Sequence, residues 1–134
     1  MIRFLCLIAT EDRLWNMRRA IQSLRETYPG TIDGSCWSVW DLSANPQKIP
    51  DMLTDAENCD FAMVYFHGGA GTISDFHKIW ESLTSRMKVY FESSLPDEIS
   101  ELLPQSGVTP DEYRDIRSYF SISSRENFRS MLLH

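Results

Sequence analysis

Between Phe61 and Leu83 the chain runs from an apolar stretch, Phe61-Ala-Met-Val-Tyr-Phe66, through His67-Gly-Gly-Ala-Gly71, into Thr72-Ile-Ser-Asp75 and a helical pattern. Few architectures accommodate that succession. A buried strand that stops at a glycine turn and feeds a helix is half of a βαβ unit, and it leaves backbone N–H groups and the positive helix end facing outward. Gly68, Gly69 and Gly71 allow positive φ and close approach of a ligand, and Ala70 interrupts them without adding bulk. Thr72 is a suitable N-cap, with Asp75 three residues on where a capping box places its acid. The spacing is neither Gly-x-Gly-x-x-Gly nor a Walker loop with its lysine, which argues against a nucleotide site and leaves either an anion seat or a tight strand-to-helix turn with no ligand.

The same alternation extends over most of the chain. Phe4 to Ala9 is a predicted strand, followed by a helix from Glu11 to Thr27 with Leu14, Met17, Ile21, Leu24 and Tyr28 at helical spacing and Pro29-Gly30 as its stop. Further strands are predicted at Cys36 to Leu42, Asp60 to Phe66 and Met87 to Phe91, and a short helix at Asn45 to Ala56. Ile73, Phe76, Trp80 and Leu83 line one face of the helix behind the glycine turn. After Pro96 only helices are expected: Asp97 to Leu103, Pro110 to Phe120 and Arg125 to Leu133. The pattern predicts one α/β domain over 1–134, an open parallel four-stranded sheet of order 2-1-3-4, flavodoxin-like, with helices on both faces and a helical C-terminal tail.

In such a sheet ligands sit beyond the carboxyl ends of the strands where the order reverses, here between the first and third strands. Candidate ligand-binding residues are therefore His67, Gly68, Gly69, Ala70, Gly71 and Thr72 after the third strand, Thr10 and Glu11 after the first, and Glu92 and Ser93 after the fourth. Glu11 and Asp12 also stand where first-turn acids offset a helix dipole. No catalytic constellation and no metal-ligand spacing accompanies them.

A net charge of −6 and a pI near 5.0 argue against nucleic acid or an anionic membrane as partner. Arg13, Arg18, Arg19 and Arg25 lie along the first helix among acids and read as a solvated face. No run of about 18 apolar residues exists to span a membrane. Cys6, Cys36 and Cys59 are odd in number and widely spaced, and are expected to be reduced thiols of a cytoplasmic protein.

The segment Asp60-Phe-Ala-Met-Val-Tyr-Phe-His-Gly-Gly69, the strand Lys88-Val-Tyr-Phe91, then Pro96-Asp-Glu-Ile-Ser-Glu-Leu102, Tyr119-Phe120 and Glu126-Asn127-Phe128 together resemble the N-terminal domain of the large cobaltochelatase subunit, a family shared with the magnesium chelatase large subunit. The resemblance covers roughly residues 60 to 133. The family's glycine pair before Glu-Asn is Ser123-Ser124 here, and its Arg-containing turn is Ala70-Gly71-Thr72. The resemblance implies an ATP-dependent system that inserts cobalt or magnesium into a tetrapyrrole, as in cobalamin biosynthesis. The large subunit would bind a corrin precursor or porphyrin, and separate AAA-type subunits would hydrolyse ATP. On that reading the chain is an N-terminal fragment, not catalytic alone, with no cofactor of its own, whose partners are the tetrapyrrole, the remainder of the large subunit and the ATPase subunits. A macrocycle carboxylate suits the glycine-rich helix start. Alternatives are a non-catalytic interaction module, suggested by Tyr113, Ile116, Tyr119, Phe120, Phe128, Met131 and Leu132 in the tail, and a flavodoxin-like binder of flavin mononucleotide, for which the first loop lacks a Ser/Thr-rich phosphate cradle.

Overall fold

A computed structural model describes residues 2–66, 73, 76–93 and 95–120. In chain order these form β1 (Ile2–Ile8), α1 (Glu11–Thr27), β2 (Ile32–Ser38), α2 (Val39–Ala44), a 3-10 turn (Pro46–Lys48), α3 (Ile49–Ala56), β3 (Phe61–Tyr65), α4 (Phe76–Thr84), β4 (Lys88–Glu92), α5 (Pro96–Leu102), a second 3-10 turn (Leu103–Gln105) and α6 (Pro110–Phe120). The strands make one all-parallel sheet ordered β2-β1-β3-β4. The order predicted from the sequence is the one observed.

Central β1 is apolar on both faces because both faces are covered, as parallel sheets require. Phe4, Cys6 and Ile8 pack with Leu14, Met17, Ile21 and Leu24 of α1, joined by Tyr113 and Ile116 of α6. Leu5, Leu7 and Ala9 face the opposite layer, with Val39 and Leu42 of α2, Met52 of α3 and Phe76, Ile79, Trp80 and Leu83 of α4. An aromatic group fills the second layer: Phe66 and Phe76 meet edge to face at 4.8 Å, and Trp80 packs against Phe91 at 5.6 Å. The helical face predicted behind the glycine turn is thus a core face, with Ile73, Phe76, Trp80 and Leu83 all buried.

The sequence reading needs three corrections. β2 spans Ile32–Ser38 rather than Cys36 to Leu42, and Val39–Ala44 is helical. Ser38 ends the strand because its Oγ accepts from the Asp41 backbone N–H at 3.2 Å, starting a helix where apolar alternation suggested continued strand. The helix expected from Asn45 to Ala56 divides into a 3-10 turn and α3, since Pro50 has no N–H to give to the Pro46 carbonyl. β4 runs to Glu92 instead of closing at Phe91, because Glu92 pairs in register with Tyr65. The helix predicted at Arg125 to Leu133 lies outside the described residues.

At edge strand β2 the sheet is tied to its helices by polar contacts. The Asp55 carboxylate on α3 accepts from Ser35 Oγ at 2.5 Å and from Trp37 Nε1 at 3.0 Å. Arg25 on α1 reaches the Asp33 carboxylate and donates to the Gly34 carbonyl at 2.9 Å. No helix among the described residues is long and apolar enough to cross a membrane.

Candidate functional site

The strand order reverses between β1 and β3, so their C-terminal ends flank the crevice at which such sheets take ligands. On one side the chain passes from Ile8 through Ala9 and Thr10 into α1; on the other it leaves Tyr65 at Phe66, whose N–H is held by the Glu92 carbonyl at 2.9 Å. His67, Gly68, Gly69, Ala70, Gly71 and Thr72 lie outside the described residues, as does Asp75, so the capping box proposed for that turn is not part of the described geometry.

The first loop is described in full, and it departs from local rules in three ways at one spot. Thr10 occupies the N-cap with extended backbone, φ −98 and ψ 142, and its carbonyl accepts the Leu14 N–H at 2.9 Å, yet its hydroxyl caps nothing. Arg13 stands at the third helical position, where a capping box carries Glu or Gln and where the helix dipole disfavours a cation. Thr10 Oγ1 and Arg13 Nε are both buried, and neither has a hydrogen-bond partner among the described residues. An unsatisfied buried polar group costs about 1–3 kcal/mol. Three residues apart across the first turn, the two share one helix face.

Arg13 is held in this position by stacking. Its guanidinium lies over the Tyr65 ring, 4.9 Å from the centroid, bridging α1 to the end of β3 across the crevice. The expectation that the α1 arginines form a uniform solvated face is therefore corrected. Arg13 belongs to the rim and Arg25 to the β2 edge, whereas Arg19 covers the exposed Trp15 ring at 4.4 Å. Glu11 is exposed in the first turn and, with Asp12, Trp15 and Arg18, lines a groove of about 540 Å³ along α1.

Glu92 and Ser93, at the end of β4, are engaged internally. The Glu92 carboxylate is buried and accepts from the Tyr90 hydroxyl at 2.9 Å and the Tyr113 hydroxyl at 3.2 Å, with Arg117 Nε at 3.4 Å. It fastens α6 to the sheet. Ser93 Oγ accepts from the Leu95 N–H at 3.1 Å, a local turn that launches α5.

Burial, and then the Glu92 charge, push the Tyr113 phenol up from 10.0 to about 12 and raise Tyr90 further. Burial with the Asp55 and Asp60 charges lifts Cys59 from 9.0 to about 11. In each case the folded chain keeps a proton that the unfolded chain gives up, so the stabilisation is complete below the unfolded value and is lost as pH rises through the folded one. Stability is expected to decline from about pH 9 to beyond pH 12, as followed by denaturant midpoints. In Tyr113→Phe the loss between pH 10 and 12 should be shallower. An equal slope in that variant would contradict the assignment.

Among the described residues no group of three or more His, Cys, Asp and Glu is placed to hold a metal ion. The opposite end of the sheet carries a second cavity of about 330 Å³, lined by Arg3, Arg25, Asp33, Asp55, Asn58 and Cys59. Its polar groups largely satisfy one another: Arg25 is bonded to Asp33, and Asp55 to Ser35 and Trp37. Among the described residues, the buried side-chain atoms without a partner are at the switch-point rim. Arg13 and Tyr65 escape a sequence reading because an arginine in a helical pattern looks solvated; the one available signal is Thr-x-x-Arg where Thr-x-x-Glu is the rule. No protein-family model matches the chain, and no curated protein matches it.

Proposed function

We infer that this chain is a ligand-binding domain for an acid-bearing macrocycle, the N-terminal domain of the large subunit of an ATP-dependent cobalt or magnesium chelatase. The observation that carries the reading is the rim at the sheet's switch point, where Thr10 and Arg13 keep donors unpaired beside Tyr65. A corrin precursor or porphyrin brings carboxylates to satisfy them. Metal insertion and ATP hydrolysis belong to the rest of the complex, for which the metal ion is substrate. In the sequence, His67 to Thr72 follow Phe66 after β3, and their glycines suit a carboxylate in this reading. The free thiols Cys6, Cys36 and Cys59 fit a reducing compartment, the cytoplasm.

The test is a titration of the purified protein with a corrin precursor and, separately, a porphyrin, following tryptophan emission. Saturable quenching that weakens in Gly69→Val is the expected result. Absence of binding to either macrocycle would remove the reading and favour a docking module, for which Trp15, 58% exposed on α1, is the natural contact.

A further inference from the structure

We propose that the outer face of α1 is a self-association surface, on which a second copy of this chain packs its own α1 antiparallel about Trp15. The surface is separate from the switch-point rim. Arg13 is two residues from Trp15 and so on the opposite side of the helix, against Tyr65.

The inward side of α1 faces the core through Leu14, Met17, Ala20, Ile21 and Leu24. The outward side carries Trp15, a large ring left exposed, with the Arg19 guanidinium over it at 4.4 Å. Beside it runs the groove of about 540 Å³ that Trp15 lines with Glu11, Asp12, Leu14 and Arg18. Glu11, Asp12, Arg18 and Arg19 are all exposed, and among the described residues none of the four is in an ion pair within the chain. Arg18 donates to the Cys36 carbonyl at 3.4 Å, a long bond that uses one of its N–H groups.

The order of these charges selects the partner. Glu11 and Arg18 are two helical turns apart and share one stripe of α1, and Asp12 and Arg19 share another. Trp15 stands midway, with both acids one turn before it and both arginines one turn after. A two-fold axis at Trp15 that runs the helices antiparallel therefore sets Glu11 of each copy opposite Arg18 of the other, and Asp12 opposite Arg19. A parallel pairing would set like charge on like charge. Antiparallel helices also oppose their dipoles, and the two Trp15 rings meet at the centre, where an aromatic anchor contributes most. With α1 only about 25 Å long, the contact is at the small end of specific interfaces, so the dimer is reversible rather than obligate.

The test is sedimentation equilibrium of the whole chain from low to high micromolar concentration, across which the wild type should pass from monomer to dimer. Trp15→Ala should raise the dissociation constant about tenfold, the effect of removing a central aromatic contact. The charge order is tested with two double variants, Glu11→Lys with Asp12→Lys and Arg18→Glu with Arg19→Glu. Each should remain monomeric alone, and an equal mixture should form a heterodimer, because every reversed charge then meets its opposite. If the variants fail to fold, backbone amide shifts across a wild-type dilution series decide alone, with changes expected from Glu11 to Gln22. The proposal is overturned by a wild type that stays monomeric at high micromolar concentration, by equal affinity in Trp15→Ala, by a mixture that stays monomeric, or by dilution shifts centred outside α1.

Discussion

Replacing Gly34 with valine should destabilise the protein by about 3 kcal/mol, lowering its melting temperature by roughly 10 °C. Gly34 lies in β2 opposite Phe4 of β1, and a β-carbon built there comes within 2.6 Å of Phe4 Cζ and nearer still to two other ring carbons. The ring cannot swing away. Phe4 is fully buried, stacked on Phe61 at 5.3 Å and packed in the layer under α1. Its conformation is ordinary extended backbone, so the constraint at Gly34 is space alone. Gly34→Ala should therefore also be costly, and Phe4→Leu should relieve part of that cost, giving a double mutant more stable than the sum of its parts. A neutral Gly34→Ala in chemical denaturation would refute this packing.

The second large effect is expected at Glu92. Glu92→Ala takes from the Tyr90 hydroxyl, Tyr113 and Arg117 the buried carboxylate that they share at the sheet–helix interface. Losing the acceptor of a buried network costs about 2–4 kcal/mol. Glu92→Gln keeps one acceptor oxygen and should cost about half as much. Because α6 meets the sheet largely through this cluster and Ile116, amide exchange in the helix should accelerate more than exchange in α1. Uniform acceleration across both helices would show that Glu92 contributes to global stability without fastening α6 in particular.

How much of this was legible beforehand differs by element. Strands β1, β3 and β4 could be read because each is an apolar run with charged or glycine-rich ends, and α1 because five apolar residues recur at helical spacing before Pro29-Gly30. The alternation of strands and helices implies a parallel sheet with right-handed crossovers, and order 2-1-3-4 is one of those it allows. β2 was misplaced because it is an edge strand: its half-buried residues, Asp33, Ser35 and Trp37 among them, are satisfied by Arg25 and Asp55 from neighbouring helices, so no hydrophobic alternation marks it. Glu92 was legible as a rim position, but its engagement depends on Tyr113 and Arg117, more than twenty residues later in the chain. Thr10 was identified from topology alone. Arg13 was not, since its partial burial and its stack on Tyr65, which set it apart from the exposed Arg18 and Arg19, depend on a residue more than fifty positions later in the chain.

The claim that matters most is where the ligand sits, and backbone amide shift mapping with a carboxylate-bearing corrin precursor tests it directly. Changes concentrated from Ala9 to Leu14 and at Tyr65, Phe66 and Ile73 would place the macrocycle at the switch-point rim, as expected. Changes centred instead on Arg3, Asp33 to Ser35 and Asp55 to Cys59, around the cavity at the opposite end of the sheet, or no changes at all, would contradict it.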